Sequence, residues 1–124
     1  AVDLGVESRV SFLGAVGDDE LLTKLATCRA VCFPACAEDY GMVTVEAFAS
    51  AKCVITCLDS GGPAEIVSDG ETGFVTEPTA AALGSRLALL SDRALAERLG
   101  SAALEYVADM TWDRTIDRLL VSRA

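Results

Sequence analysis

Apolar and polar residues form two kinds of pattern along the chain, short apolar runs and longer periodic stretches. The short runs are bounded by Gly, Pro or polar residues and predict buried strands at 9–13, 30–33, 53–57 and 73–75. The periodic stretches predict helices from after Asp19 to about Cys28 and at 42–51, 62–67, 79–91, 93–109 and 112–122. Strands that alternate with helices through short connections indicate right-handed βαβ units. We therefore predict an α/β fold, a Rossmann-like parallel sheet of about four strands flanked by helices, with a helical C-terminal segment.

The first residues resemble the end of a helix that leads into the strand at 9–13, because Gly5 follows Leu4. No strand precedes that one in the sequence. Four parallel strands make half a sheet, so we expect residues 1–124 to form a single, partial domain that lacks a preceding βαβ segment. An exposed edge of that sheet predicts either association of copies through the edge or low stability.

Composition limits the possible partners. With 124 residues, of which 52% are hydrophobic, the chain can form one domain with a real core. The formal net charge of −9 argues against binding to nucleic acid or to an anionic membrane surface, since both need clustered Lys and Arg. No run approaches the ~20 apolar residues of a membrane-spanning helix, and no basic leader marks a signal peptide. We expect a cytoplasmic location, with any peripheral membrane contact made through a domain absent from this sequence.

The five cysteines, at 28, 32, 36, 53 and 57, could in principle bind a metal. Their spacing is Cys-x3-Cys-x3-Cys followed by Cys-x3-Cys, which is not a common zinc pattern, and the chain has no His. Most of them lie in or beside apolar runs, where a free thiol behaves as a small hydrophobe. The pattern favours structural thiols in a reducing compartment and no metal site.

The segment between the strand at 30–33 and the next helix is the richest in candidate chemistry. In open α/β sheets, ligands bind at the carboxyl ends of the strands. Gly41 allows a ligand to approach the backbone, and the amides of Met42 and Val43 are first-turn donors that favour phosphate or sugar oxygens. Glu38 and Glu46 flank these donors, and ionised carboxylates accept hydrogen bonds from the hydroxyl groups of a sugar or ribose. The alternative is that Glu38 caps a helix and Glu46 is an ordinary solvated residue.

A second glycine turn, Gly61-Gly62, joins the strand at 53–57 to the following helix. In a parallel sheet this turn opens at the same edge as the Gly41 turn, so two glycine-lined helix starts face one crevice. Neither turn contains Gly-x-Gly-x-x-Gly or Gly-Lys-Ser/Thr, which argues against a dinucleotide dehydrogenase and a P-loop NTPase. The two turns together favour a ligand site over two unrelated surface glutamates.

An ordered set of motifs over nearly the whole chain resembles GT4-type retaining glycosyltransferases, which have the GT-B fold. In order, the motifs are Val10–Gly14, Asp19–Leu21, Glu38-x7-Glu46 around Tyr40-Gly41, Gly61–Val67, Asp69-Gly70, Thr72–Val75 and Thr111-Trp112. The resemblance implies a C-terminal nucleotide-sugar-binding domain, which is half of a GT-B architecture. It also implies a parent enzyme that transfers a hexose from a nucleotide diphosphate sugar to an acceptor, with no metal or other cofactor.

The resemblance further implies a role for each candidate residue. Glu46 binds the ribose hydroxyl groups, and Glu38 lies against the donor sugar as the catalytic carboxylate, with a positioning and electrostatic role rather than a nucleophilic one. The backbone amides at the start of the helix contact the sugar or the diphosphate, and the segment 14–16 contacts the nucleobase. The candidate donor-binding residues are Glu46, Gly41, Met42, Val43, Gly14, Val16, Gly61 and Gly62.

The sequence also departs from this family's pattern. It contains no N-terminal acceptor domain, and neither Arg9 nor Lys24 occupies the place of the family's diphosphate-binding Arg and Lys. Two alternatives therefore remain: a non-catalytic nucleotide-sugar-binding or interaction module, and a non-hydrolysing nucleotide-sugar epimerase, against which the absence of His counts. Glu65 could contact the ligand, but we expect a structural pairing instead. We expect Trp112 to lie in the core and not to serve as a stacking platform.

Overall fold

The computed structural model describes residues 1–121, which form an α/β fold with six helices and three strands. In chain order these are α1 (Asp18–Thr27), β1 (Ala30–Cys32), α2 (Met42–Ala49), β2 (Cys53–Cys57), α3 (Gly62–Ile66), β3 (Gly73–Thr76), α4 (Ala80–Leu89), α5 (Arg93–Ala108) and α6 (Trp112–Val121). The predicted fold class is confirmed. The predicted helix at 112–122 is confirmed as far as Val121, and its last residue lies outside the described part of the chain.

The three strands form one parallel sheet in the order β1-β2-β3. The central strand β2 is buried along its whole length, as a strand covered on both faces should be. Because side chains alternate between the faces, Val54 packs in one core cluster with Phe48, whereas Ile55 packs in a second cluster with Phe74 and Leu99. Helices therefore cover both faces of the sheet, and its carboxyl edge stays open.

The predicted strand at 9–13 is wrong, so the sheet has three strands rather than about four. Glu7–Arg9 form a 3-10 turn, and although Val10 is extended, no strand within residues 1–121 pairs with the segment. Phe12 is 87% exposed. A strand needs a neighbour for its backbone hydrogen bonds and a face to cover its side chains, and this apolar run has neither here. The outer edge of β1 is likewise unpaired in the described residues.

A close contact between backbones fixes α5 to the end of α2. At Gly100, in the middle of α5, a Cβ would lie 2.2 Å from the carbonyl oxygen of Ala51, in the turn between α2 and β2. Ala51 itself has a positive φ of 55°. Further along the same two helices, the rings of Phe48 and Tyr106 meet edge to face at 5.9 Å. This packing holds α2, which begins at the open edge of the sheet, against the rest of the molecule.

Bilayer crossing needs a long apolar helix, and none is found among residues 1–121.

Candidate functional site

Backbone hydrogen bonds join the loop after β1 (33–41) to the loop after β2 (58–61). The Ala37 amide donates to the Asp59 carbonyl at 2.9 Å, and the Glu38 amide donates to the Ser60 carbonyl at 3.0 Å. The Gly62 amide returns a hydrogen bond to the Glu38 carbonyl at 2.9 Å. The two loops thus extend the β1–β2 pairing beyond the sheet, and they place Glu38 beside the Gly61-Gly62 turn, as the parallel arrangement predicted.

The Gly61-Gly62 turn lies too close to the neighbouring loop for any side chain. A Cβ at Gly61 would be 2.5 Å from the carbonyl oxygen of Glu38, and Gly61 has a left-handed φ of 73°. A Cβ at Gly62 would be 2.6 Å from the carbonyl oxygen of Asp39. Since these neighbours are backbone atoms and not the ends of flexible side chains, only glycine allows this approach. In this structure the two glycines allow the loop after β2 to pack against the loop after β1.

The N-terminus of α2 begins beside this turn and carries no side-chain cap. Gly41 is the N-cap residue in the left-handed region, at φ 76° and ψ 62°, and no side chain accepts a hydrogen bond from the first turn. A Cβ at Gly41 would be 2.5 Å from Cγ of the buried Pro63. The amides of Met42 and Val43 lie in the first turn of α2, at the positive end of the helix dipole. First-turn amides have no hydrogen-bond partner within the helix. This arrangement can bind an anionic or sugar oxygen.

Both candidate carboxylates are exposed. Glu38 lies on the loop before Gly41, and Glu46 lies one turn further along α2 than the first-turn amides. Asp39 and Asp59 add negative charge to the same edge of the sheet. A diphosphate at this edge would be repelled by these carboxylates, so it needs backbone amides or cations from elsewhere to hold it.

Ser60 connects the two loops through its side chain, which the sequence did not indicate. The Ser60 hydroxyl, fully buried, donates to the Ala35 carbonyl at 2.7 Å and accepts from the Cys57 amide at 3.1 Å. A second hydroxyl makes a similar link, since the Thr56 hydroxyl donates to the Phe33 carbonyl at 2.9 Å. The only sequence signal for Ser60 is its position directly before the glycine pair.

The cysteines are all free thiols, and they divide by burial. Cys53 and Cys57 are buried, as predicted for structural thiols, but Cys32 and Cys36 are exposed, so for these two the prediction is wrong. Burial raises the pKa of the Cys57 thiol, and the nearby carboxylate of Asp59 raises it further. No group of three His, Cys, Asp or Glu side chains within residues 1–121 could hold a metal ion.

The predicted base-contacting residues are not joined to the glycine turns. No hydrogen bond within residues 1–121 links 14–16 to Glu38 or to the Gly61-Gly62 turn. Gly14 has a left-handed φ of 66°, and apart from its chain neighbours no atom lies within 4 Å of the position of a Cβ there. Because the segment before it pairs with no strand, nothing in the sheet fixes Gly14 or Val16 relative to α2.

A cavity of about 680 Å³ lies next to the glycine turns, between the start of α2 and the helices α5 and α6. Tyr40 and Met42 lie beside the start of α2 and also line the cavity, but Glu38, Glu46 and the Gly61-Gly62 pair do not.

Trp112, on the wall of the cavity, is 82% exposed, so the prediction that it lies in the core is wrong. Glu65 is also exposed and takes part in no ion pair in the described residues, contrary to the expectation of a structural pairing. We place the candidate site at the glycine turns, because there the uncapped amides of α2 lie beside Glu38 at the carboxyl edge of the sheet.

Comparison with known proteins identifies relatives of this chain. The model of the family Glycosyl transferases group 1 matches residues 1–106. D-inositol 3-phosphate glycosyltransferase of Nocardia farcinica is 35% identical over 127 aligned positions, which cover 98% of this chain and 27% of the relative. This chain thus spans little more than a quarter of that relative's length.

Solved structures show the same fold. Sucrose-phosphate synthase from Thermosynechococcus elongatus superposes with a TM-score of 0.82 and 27% identity, over 99% of this chain and 33% of that one. Anabaena Alr3699/HepE in complex with UDP-glucose superposes with a TM-score of 0.76 and 29% identity, over 98% of this chain and 34% of that one.

Proposed function

Because the chain belongs to the family Glycosyl transferases group 1, we propose that it supplies the donor site of a retaining glycosyltransferase. The enzyme transfers a hexose from a nucleotide diphosphate sugar to an acceptor held by a further domain. One observation carries this proposal: the uncapped glycine start of α2 is fixed beside Glu38 by the Gly61-Gly62 turn. The structure of Anabaena Alr3699/HepE is a complex with UDP-glucose, which supports a nucleotide sugar as the ligand.

Each part of the site has a proposed role. The amides of Met42 and Val43 bind the sugar or the diphosphate from the positive end of α2. Glu46 accepts hydrogen bonds from the ribose hydroxyl groups, and Gly14 and Val16 contact the nucleobase once their segment is held in place. Because the edge of the sheet is acidic, we propose that the diphosphate also needs an Arg and a Lys from outside this chain.

In the proposed transfer, the acceptor oxygen attacks the anomeric carbon on the same face from which the diphosphate leaves. The bond between the anomeric carbon and the diphosphate oxygen breaks, and the acceptor oxygen bonds to that carbon while a diphosphate oxygen takes the acceptor's proton. The anomeric carbon gains positive charge on the way, and the Glu38 carboxylate stabilises that charge electrostatically. We propose that this step needs no metal ion.

Calorimetric titration of the 124-residue chain with UDP-, GDP- and ADP-sugars tests the donor site. We expect weak binding of at least one nucleotide sugar, which falls about fivefold or more for Glu46→Ala because a charged hydrogen-bond acceptor is lost. Glu71→Ala is the matched control, since Glu71 is an exposed glutamate in the turn before β3, at the opposite edge of the sheet. Tight binding that neither Glu38→Ala nor Glu46→Ala weakens would refute the proposed site.

A further inference from the structure

A second cavity, of about 370 Å³, lies at the amino ends of β1 and β2, at the opposite edge of the sheet from the glycine turns. Its walls come from the segment between α1 and β1, the turn between α2 and β2, and the start of α5. Arg29 directly precedes β1, and Lys52 directly precedes β2. Small-molecule pockets measure about 300–1,000 Å³, so this cavity has room for a small ligand.

The cavity is basic, although the chain is acidic. Arg29, Lys52 and Arg93 line it, and these are three of the 10 Lys and Arg residues in the chain. Glu97 is the one acidic residue among the described residues that line the cavity, so three positive charges face one negative charge. With a net charge of −9, the chain repels anions over most of its surface, whereas this concave site attracts them.

The two guanidinium groups keep donors that the protein does not use. Nη1 of Arg29 donates to the carbonyls of Ser91 at 2.9 Å and Leu90 at 3.3 Å, which holds the side chain against the end of α4. Nε of Arg93 donates to Oε1 of Glu97 at 2.7 Å. Because an arginine has five N–H donors, each guanidinium can also bind an anion. A side chain that is already held in place loses less entropy when a ligand binds.

Lys52 supplies a positive charge that no carboxylate balances. It is half-buried and takes part in no ion pair within residues 1–121. Its ammonium group acts on Cys28, which also lines the cavity: burial raises the pKa of the Cys28 thiol, and the charge of Lys52 lowers it. Partly buried charges are usually paired, so the ammonium group is suited to an anionic ligand.

We propose that this cavity binds a phosphate group, either free phosphate or that of a small phosphate ester, through Arg29 and Lys52, with Arg93 at its rim. Guanidinium groups match phosphate oxygens in geometry, and the ammonium group adds a compact point charge. A phosphate monoester carries a charge of about −1.5 to −2 at pH 7, which suits the excess of two positive charges better than a carboxylate does. The site is remote from the glycine turns, and the proposal does not rest on the proposed function.

Calorimetric titration of the full 124-residue chain with glycerol 3-phosphate and with inorganic phosphate, at low ionic strength, tests the site. We expect saturable binding that Lys52→Gln and Arg29→Gln each weaken about fivefold or more, because a charge-assisted hydrogen bond is lost. Arg98→Gln is the matched control, since Arg98 is exposed on α5 and does not line the cavity. It removes the same charge and should bind like the wild type. Tighter binding of the ester would identify an organic phosphate as the ligand, and equal binding would identify free phosphate.

A measurement on the wild-type chain does not depend on how the variants fold. Glycerol 3-phosphate should slow the alkylation of Cys28 by iodoacetamide about twofold or more, because the bound anion covers the thiol and offsets the effect of Lys52 on its pKa. Peptide mass spectrometry measures the rate, and the exposed Cys36, in the loop after β1, is the internal control that should not change.

Three results would overturn the proposal: no saturable binding of either phosphate probe, binding that Lys52→Gln and Arg29→Gln leave unchanged, or protection of Cys36 in place of Cys28. Because neither probe is a nucleotide sugar, failure here leaves the donor site untested and is distinct from failure of the proposed function.

Discussion

Ser60 shows how closely the candidate site depends on single residues. Its hydroxyl is used twice inside the protein, on the Ala35 carbonyl and the Cys57 amide, so it holds the end of β2 to the loop that carries Glu38. Neither the glycine turn nor the helix start provides another side-chain contact that could replace it. The serine therefore acts on the site by positioning the loop and needs no contact with a ligand.

Replacing Ser60 by Ala should lower the free energy of unfolding by about 1–3 kcal/mol, since a buried donor and a buried acceptor lose their partner. Urea denaturation followed by circular dichroism measures the change. Ser101→Ala is the control, because the Ser101 hydroxyl is exposed and bonds only within its own helix; we expect its effect to stay within about 0.5 kcal/mol. Equal stability of the Ser60→Ala variant and the wild type would contradict this account of the loop.

Sequence reasoning indicated the glycines and carboxylates of the candidate site but not the serine. Glu38, Gly41 and the Gly61-Gly62 turn could be predicted because each belongs to a motif whose residues are close along the chain. The acceptor of the Ser60 hydroxyl lies in a loop separated from it by α2 and β2, and no local pattern indicates such a partner. Gly14 could be chosen by its motif, but its position depends on pairing that the described residues do not contain.

At the scale of the elements, two helical glycines should respond in opposite directions to the same change. Gly100→Ala places a Cβ 2.2 Å from the Ala51 carbonyl oxygen, so α5 must move away from α2 and β2; we expect a loss of about 1–3 kcal/mol. Gly84→Ala, in α4, meets no atom within 4 Å and should raise stability by about 0.5–1 kcal/mol, because alanine is the better helix former. Thermal unfolding of both variants measures the difference. A Gly100→Ala variant as stable as Gly84→Ala would show that the helix contact is loose.

The elements themselves were predictable where local pattern and burial agree. The run 53–57 was predicted and observed as β2, because a continuously apolar strand is buried on both faces. The strand predicted for the run at 9–13 is wrong, because an apolar pattern shows only that a segment can be buried. It does not show that the neighbouring strand needed to bury it is present. Trp112 was also predicted to be buried in the core, but it lies at the start of α6 and is exposed.

On the scale of the whole molecule, the chain spans about 27% of the length of its Nocardia relative, and we propose that it supplies the donor side of a transfer reaction. We predict that it binds a nucleotide sugar and transfers no sugar, because donor and acceptor must be held together for the reaction to be fast. Incubation of the chain with UDP-glucose and polyol acceptors, followed by chromatography of glucosylated acceptor, measures this. Acceptor glucosylation that Glu38→Ala abolishes would show that the chain is catalytically complete by itself.

The order of the parallel sheet has a consequence for how the protein folds. Ala30 pairs with Cys53, and Val54 pairs with Gly73, so each pairing closes a loop that contains a whole helix. No hairpin can begin the sheet, and the entropy of each loop closure is spent before the hydrogen bonds of that ladder form. We therefore expect the strands at the candidate site to pair only together with the helices α2 and α3 that connect them, and the sheet to form slowly for its size.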